Sequence, residues 1–143
     1  MGRKTPPFNF DPNKKGLRKL LGELEAEIME ISWERGEVTV RQVYERLERK
    51  REIAYTTVMT VMSRLAEKGL LHQMRDGLAF SYQPAYSREE FTEGSVKKIL
   101  SGLLQDFSTP VIHQFVKSVE AARPEKMEEL ANLVKSKRKK KNV

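Results

Sequence analysis

Residues 54–83 read AYTTVMTVMSRLAEKGLLHQMRDGLAFSYQ, and this stretch combines the patterns that decide the fold. Its first apolar residues recur at helical spacing: Val58, Val61, Met62 and Leu65. This spacing predicts a helix over residues 55–68 with one buried face. Gly69 follows as the expected residue beyond the helix C-terminus. The runs LLHQMR and LAFSYQ then flank Asp76-Gly77, which is a strong signal for a β-hairpin.

Two shorter helical patterns precede this stretch. The first lies in LGELEAEIMEISWERG and places these residues on one face: Leu21, Leu24, Ile28 and Ile31. Gly36 is expected to end it. The second begins with Thr39 as N-cap and has its apolar face at Val40, Val43, Tyr44 and Leu47, with a short extended piece around Val38. Three helices followed by a hairpin are the element order of a winged helix-turn-helix.

The polar side of the third helix carries residues suited to a DNA groove. We predict base contacts from Thr56, Thr57, Thr60 and Arg64. Threonine lowers helix propensity, but its hydroxyl can bind bases or phosphate and its methyl can pack on thymine. The alternative is an ordinary solvated helix face, on which exposed threonines are common.

Basic residues cluster around this candidate helix, although the net charge of +7 is concentrated elsewhere. Residues 1–20 hold six basic residues against one acid, and residues 134–143 hold six and no acid, so the middle of the chain is slightly acidic. Any one of the clustered cations can be a simple solvated charge, but together they favour phosphate contact. The predicted phosphate ligands are Arg41, Lys50, Arg51 and Arg75, with Tyr82 assigned to either the wing core or the DNA backbone.

The chain after the hairpin predicts three further helices, over residues 87–107, 108–121 and 124–136. Ser87 and Glu90 form a capping-box pattern, and Pro110 and Pro124 mark the later helix starts. Their apolar stripes would leave large areas exposed in a monomer, so we predict a homodimer. The predicted interface residues are Ile99, Leu100, Leu103, Leu104, Val111, Ile112, Phe115 and Val116. The alternative is that these stripes fold back on the chain's own winged helix.

Composition argues against several other function classes. Without cysteine, neither a disulfide framework nor a thiolate metal site is possible, which fits a reducing cytoplasm. No apolar run approaches about 18 residues, so we expect no signal peptide and no membrane span. His72 and His113 lack neighbours at metal-ligand or catalytic spacing, so we predict no catalytic residue, no metal and no cofactor.

The segments LGELEAEIMEISWERGEVTVRQVYERL and AYTTVMTVMSRLAEKGLL, with a wing ending FSYQP, resemble the BlaI/MecI/CopY family of bacterial repressors over about residues 21–120. The resemblance implies a dimeric winged-helix repressor of β-lactamase, methicillin-resistance or copper-homeostasis operons, with the helices after the wing forming the dimer. The copper-type members carry C-terminal Cys-x-Cys motifs, so the absence of cysteine excludes copper sensing by that route. Methicillin-type repressors carry Lys where this chain has Thr56 and Ser where it has Ala54, so the operator sequence is expected to differ.

The resemblance also implies a switch. β-lactam-responsive members are inactivated when a membrane sensor-protease pathway leads to cleavage of an Asn-Phe bond in the dimerisation helices. The matching position here is Gln114-Phe115, with Gln in place of Asn.

The sequence thus predicts a mainly α fold with a small β-hairpin, in which a winged helix-turn-helix domain precedes a C-terminal helical dimerisation domain. The predicted parts are a mobile basic arm (1–20), the DNA-binding domain (21–86), the dimerisation domain (87–136) and a basic tail (137–143). The predicted function is a cytoplasmic repressor that binds a double-stranded DNA operator as a homodimer. Two alternatives stay open: a non-specific architectural DNA binder driven by the basic tails, and a winged-helix protein-interaction module.

Overall fold

The structure is a computed structural model that describes residues 8–141, apart from the side chain of Asp76. The helices and strands are α1 (Glu23–Arg35), α2 (Val40–Glu48), α3 (Tyr55–Glu67), β1 (Leu71–Asp76), β2 (Ala79–Pro84), α4 (Arg88–Ala122) and α5 (Met127–Lys141). Short 3-10 turns occupy Gly16–Lys19 and Pro124–Lys126. The prediction of a mainly helical fold with one small hairpin is confirmed within residues 8–141.

Side-chain caps begin two of the helices where the sequence predicts them. At α2 the Thr39 hydroxyl accepts from the Gln42 backbone N–H at 3.1 Å, and the Gln42 side chain accepts from the Thr39 N–H at 3.0 Å. Ser87 and Glu90 make the same reciprocal pair before α4, at 2.9 and 3.0 Å. Each pair satisfies two backbone donors that a helix start leaves without intrahelical partners.

The end of α3 joins the helix tightly to the hairpin. Gly69 has φ +83°, which glycine adopts without steric cost. The N–H of Leu70 donates to the Leu65 carbonyl at 2.9 Å, and the N–H of Gly69 donates to the Ala66 carbonyl at 3.0 Å. These two bonds form a Schellman motif, with Leu65 and Leu70 both buried beside it. The prediction that Gly69 lies just beyond the helix end is confirmed.

The hairpin turn lies one residue later than the sequence predicts. Asp76 pairs with Ala79 and ends β1, so the two loop residues are Gly77 and Leu78, not Asp76 and Gly77. Gly77 has φ +66°. Within residues 8–141, every residue with a positive φ is a glycine, so φ at Leu78 is negative. A positive φ at the first loop position alone is the requirement of a type II′ turn, which accepts leucine second.

The base of the hairpin is extended by the predicted piece around Val38. The N–H of Val38 donates to the Tyr82 carbonyl at 2.9 Å, and the Tyr82 N–H donates to the Val38 carbonyl at 2.8 Å. This isolated bridge fixes the start of α2 against β2. Both residues are buried.

The first compact unit ends at Lys98, beyond the boundary at residue 86 that the sequence predicts. The reason is Phe91 near the start of α4, which is fully buried and lies 6.0 Å from Trp33, ring centre to ring centre. Trp33 in turn donates from Nε1 to the Tyr86 carbonyl at 2.8 Å. The residues with fully buried side chains in this unit include Ile28, Met29, Val38, Val43, Leu47, Val58, Met62, Leu65, Leu70, Leu71 and Phe91.

Part of the predicted arm, from residue 8 to residue 20, is held within the first unit by backbone hydrogen bonds. The Asn9 N–H donates to the Leu20 carbonyl at 3.0 Å, and the Asp11 N–H donates to the Lys19 carbonyl at 2.7 Å. Leu20 and Leu21 are both buried. Residues 1–7 of that arm lie outside the described residues. The structured segment therefore begins before residue 21, because Leu20 contributes to the core.

The second unit begins at Ile99 and contains most of α4 together with α5. The backbone of α4 is broken at Phe107, where φ is −133° and ψ is 44°. Pro110 explains this break, because a proline ring clashes with the carbonyl four residues earlier and contributes no N–H. The predicted division between residues 107 and 108 is thus confirmed as a kink. Over the described part of the chain, none of the helices has the length and apolar character needed to cross a membrane.

Candidate nucleic-acid interface

The outward face of α3 carries the predicted base-contact residues. Thr56, Thr57, Thr60 and Arg64 are all exposed. The opposite face of the same helix consists of Val58, Met62 and Leu65, which have no exposed surface. A fully buried inner face fixes the orientation of the outer one, because a well-packed core resists rotation of the helix.

Two details of this face determine what it can bind. The Thr60 hydroxyl donates to the Thr56 carbonyl at 2.8 Å, which leaves its oxygen as an acceptor and its methyl available for apolar contact. Among the described residues, Arg64 forms no ion pair. Its guanidinium therefore keeps its five donors for an external acceptor such as a base edge or phosphate.

Sequence reasoning missed Met59, which lies beside the threonines and is 43% exposed. Its position falls outside the buried i, i+3, i+4, i+7 set of α3, and this spacing is the signal that could have found it. A flexible apolar side chain at this place can contact a thymine methyl group.

Arg41 is held at the start of α3 by aromatic side chains. Its guanidinium lies 5.8 Å above the centre of the Tyr55 ring, and Tyr55 meets Tyr44 edge to face at 5.5 Å. The Arg41 side chain is well exposed and lies 3.8 Å from a carboxylate oxygen of Glu45. A hydrogen bond to Glu48, followed by the charge of that carboxylate, raises the pKa of Tyr44 above its ordinary value. Arg41 therefore lies over Tyr55, the first residue of α3.

The other predicted phosphate ligands have different surroundings. Arg51 pairs with Glu27 of α1, so its charge is partly compensated. Lys50 is exposed and forms no ion pair within residues 8–141. Arg75 is exposed on β1, where its Nε donates to the Gly77 carbonyl at 3.0 Å and its guanidinium lies 5.6 Å from the Phe80 ring centre.

Tyr82 does not reach the surface. It is 2% exposed, and its hydroxyl accepts from the Gln73 side chain at 3.0 Å. Of the two roles that the sequence leaves open, the wing core is therefore the one that fits. Because the Tyr82 ring is buried, the base of the hairpin would have to open before Tyr82 could contact a phosphate.

The second unit exposes its apolar side chains. No residue between 99 and 141 is buried. Of the eight predicted interface residues, Ile99, Leu100 and Val111 are half-buried, and the others are exposed: Leu103, Leu104, Ile112, Phe115 and Val116. Phe107, Leu133 and Val134 are also exposed apolar residues and are not among the eight predicted interface residues. Gln114 and Phe115, the candidate cleavage position, lie inside α4.

The described residues contain no group of three or more His, Cys, Asp or Glu side chains that could hold a metal ion. One cavity, of about 980 Å³, is an open groove between the end of α1 and the start of α4, lined by Trp33 and several glutamates. Its Arg88 already pairs with Glu30 and lies over the Trp33 ring. Arg88, the cation of this groove, is thus already paired within the protein.

Known regulatory proteins resemble this chain over half of its length or more. A family model described as the penicillinase repressor matches residues 21–136. The transcriptional regulator BlaI of Mycobacterium tuberculosis is 51% identical over 75 residues, which are 52% of this chain and 54% of that protein. The methicillin resistance regulatory protein MecI of Mammaliicoccus sciuri is 21% identical over 117 residues, or 82% of this chain and 94% of that protein.

The matched part of the chain thus spans about half the length of the M. tuberculosis relative. Among solved structures, the solution structure of the DNA-binding domain of the repressor BlaI is similar with a TM-score of 0.45 and 23% identity, covering 54% of this chain and 93% of that one. The family match takes in residues 21–136, from the start of α1 well into α5. The chain therefore belongs to the penicillinase repressor family.

Proposed function

We propose that this protein is a bacterial transcriptional repressor that binds a two-fold DNA operator as a homodimer in the cytoplasm. In this proposal α3 enters the major groove and the hairpin rests on the DNA backbone. Family membership supports it, and relatives of the chain are named as a transcriptional regulator and as a methicillin resistance regulatory protein.

The observation that carries the proposal is the two-sided character of α3. One side has Val58, Met62 and Leu65 with no exposed surface, and the other presents small hydroxyl side chains beside an arginine that has no ion pair among the described residues. A solvated surface helix needs no such arginine, whereas a groove-reading helix needs short polar side chains and a bidentate donor. Arg41, held over Tyr55, supplies a cation at the start of the same helix.

The dimer is proposed from the apolar surface of the second unit. Leu103, Leu104, Ile112, Phe115 and Val116 are exposed on α4. Several exposed apolar residues on one segment are characteristic of interaction surfaces. A second copy of the chain carries the same apolar surface, so the two can cover each other in a two-fold interface. A two-fold dimer then matches half-sites about one helical turn apart.

The test is genomic footprinting of the full chain, followed by binding to the protected duplex and to a random duplex of equal length. The proposal expects tight binding to the footprinted site, a two-fold symmetric protected sequence, and a dimer by sedimentation. Equal affinity for both duplexes, or a monomer at working concentration, would contradict it.

One rival has a specific observation in its favour, which is the run of basic residues at the end of α5. Lys137, Arg138, Lys139, Lys140 and Lys141 continue that helix without an acid among them. A binder driven by this run would lose nearly all DNA affinity when the five residues become glutamine, whereas the repressor would keep its operator preference. Deletion of residues 1–20 is a poorer test, because Leu20 is buried.

Regulation by a membrane sensor-protease pathway is a further part of the proposal. Cleavage between Gln114 and Phe115 would cut α4 within the proposed dimer surface. Because the bond lies in a helix, a protease needs that helix to open locally first. Mass spectrometry of the protein from β-lactam-treated and untreated cells tests for this cleavage, and an intact chain in both would remove it from the proposal.

A further inference from the structure

The tip of the hairpin exposes a large apolar side chain that the fold does not use. Leu78 is 93% exposed, and Phe80 on β2 is 46% exposed. The base of the same hairpin is buried at Leu71 and Tyr82, so the core ends before the tip begins. Turn positions are usually occupied by polar or small residues, and a leucine there gains nothing for stability.

The tip is held in one conformation by its own contacts. Arg75 donates from Nε to the Gly77 carbonyl at 3.0 Å, and its guanidinium stacks over Phe80 at 5.6 Å. Gly77, at φ +66°, makes the type II′ turn that places Leu78 at the apex. Leu78 is therefore presented on a preorganised turn.

The charge of the tip points to an apolar mode of DNA contact. Residues 75–80 contain one arginine and one aspartate, so their formal charges cancel. A wing that only rested on phosphates would be expected to carry surplus cations. An arginine beside an exposed apolar side chain is instead the combination that minor-groove proteins use, where the apolar group wedges against base steps.

The hairpin that carries this tip is joined directly to α3. The Schellman motif at Gly69 connects α3 to β1, and Leu65 and Leu70 pack beside this connection. The helix and the hairpin are therefore parts of one packed unit.

We propose that Leu78 enters the minor groove beside the α3 contact and presses between base steps, which bends the DNA. This inference rests on the proposed function, because α3 must dock first. The hairpin would then contact the floor of the minor groove and not the phosphate backbone alone.

The experiment uses the full chain and the footprinted operator duplex, with fluorophores at the two ends to report the DNA bend. Leu78→Ser should lower the operator affinity about tenfold and remove much of a bend that such wedges usually set at about 20–90°. Leu78→Met should retain both, because it conserves apolar volume. Ala79→Ser, at the exposed neighbouring position, is the matched control and should behave as wild type. None of these changes should alter the melting temperature, since both positions lie on the surface.

Three outcomes would overturn the inference. If Leu78→Ser binds and bends the operator as wild type does, Leu78 does not insert between base steps. The proposed operator preference would then still stand. A Leu78→Lys variant that binds more tightly with no bend would assign the wing to phosphates. A wild-type protein without operator preference would end both this inference and the proposed function, so the two failures are distinguishable.

Discussion

Arg64→Ala should reduce sequence-specific binding without affecting folding. Arg64 is exposed on α3 and has no ion pair among the described residues, so its removal strands no carboxylate. By contrast, Arg46→Ala would leave Glu34 without its partner at 2.7 Å. The expected change in unfolding free energy is within about 0.5 kcal/mol. The expected loss of operator affinity is about 1–3 kcal/mol per half-site if Arg64 contacts a base, or roughly 5- to 150-fold.

Fluorescence anisotropy with the operator duplex and a random duplex, at several salt concentrations, measures this loss. Lys50→Ala is the matched control, because Lys50 is likewise exposed and without an ion pair in the described chain, but does not lie on α3. It should weaken both duplexes alike and reduce the salt slope by about 0.9 for each phosphate that the lysine neutralised. Equal weakening of both duplexes by Arg64→Ala would refute the base contact, since Arg64 would then be a phosphate ligand.

Three further predictions concern stability, assembly and pH. Phe91→Ala should lower the unfolding free energy by about 3–5 kcal/mol in thermal or urea denaturation, because the ring is fully buried; the exposed Val96→Ala should cost far less. Phe115→Asp should shift the protein toward monomer in sedimentation, because it places a charge in the proposed interface, while leaving the first unit folded. The raised pKa of Tyr44 means that its contact with Glu48 stabilises the fold below pH about 10 and that this stabilisation disappears as pH rises through the raised value. An ultraviolet titration should show the tyrosine pKa falling in Glu48→Gln.

The parts of the fold that the sequence predicts well are those set by neighbours along the chain. The predicted N-cap Thr39 and the predicted capping box of Ser87 with Glu90 both depend on residues three apart. Gly69 ends α3 because glycine alone accepts its backbone angle easily. The kink at Phe107 follows from Pro110 in the next turn of the helix.

The features that the sequence does not predict depend on contacts between distant residues or on a one-residue choice. Phe91 is buried because Trp33, far earlier in the chain, lies beside it, and this moves the unit boundary to Lys98. Arg51 pairs with Glu27 of α1, which no local pattern reveals. Asp76-Gly77 and Gly77-Leu78 are both acceptable turn pairs, so only the strand register decides that Leu78 forms the tip.

In the proposed repressor, the first unit sets the DNA sequence preference and the second unit, through dimerisation, sets the strength of binding. The elements that pack against α3 include α1, α2 and β1, and all three lie before Lys98. Residues 99–141 contain no buried side chain, so their apolar surface is free for the proposed dimer contact. Two DNA-binding units joined in a dimer bind the operator more tightly because binding of one raises the effective concentration of the other. This gain in affinity needs no new base contacts. A signal that acts on the second unit would therefore change how tightly the operator is held, while the sequence preference set by Thr60 and Arg64 stays the same.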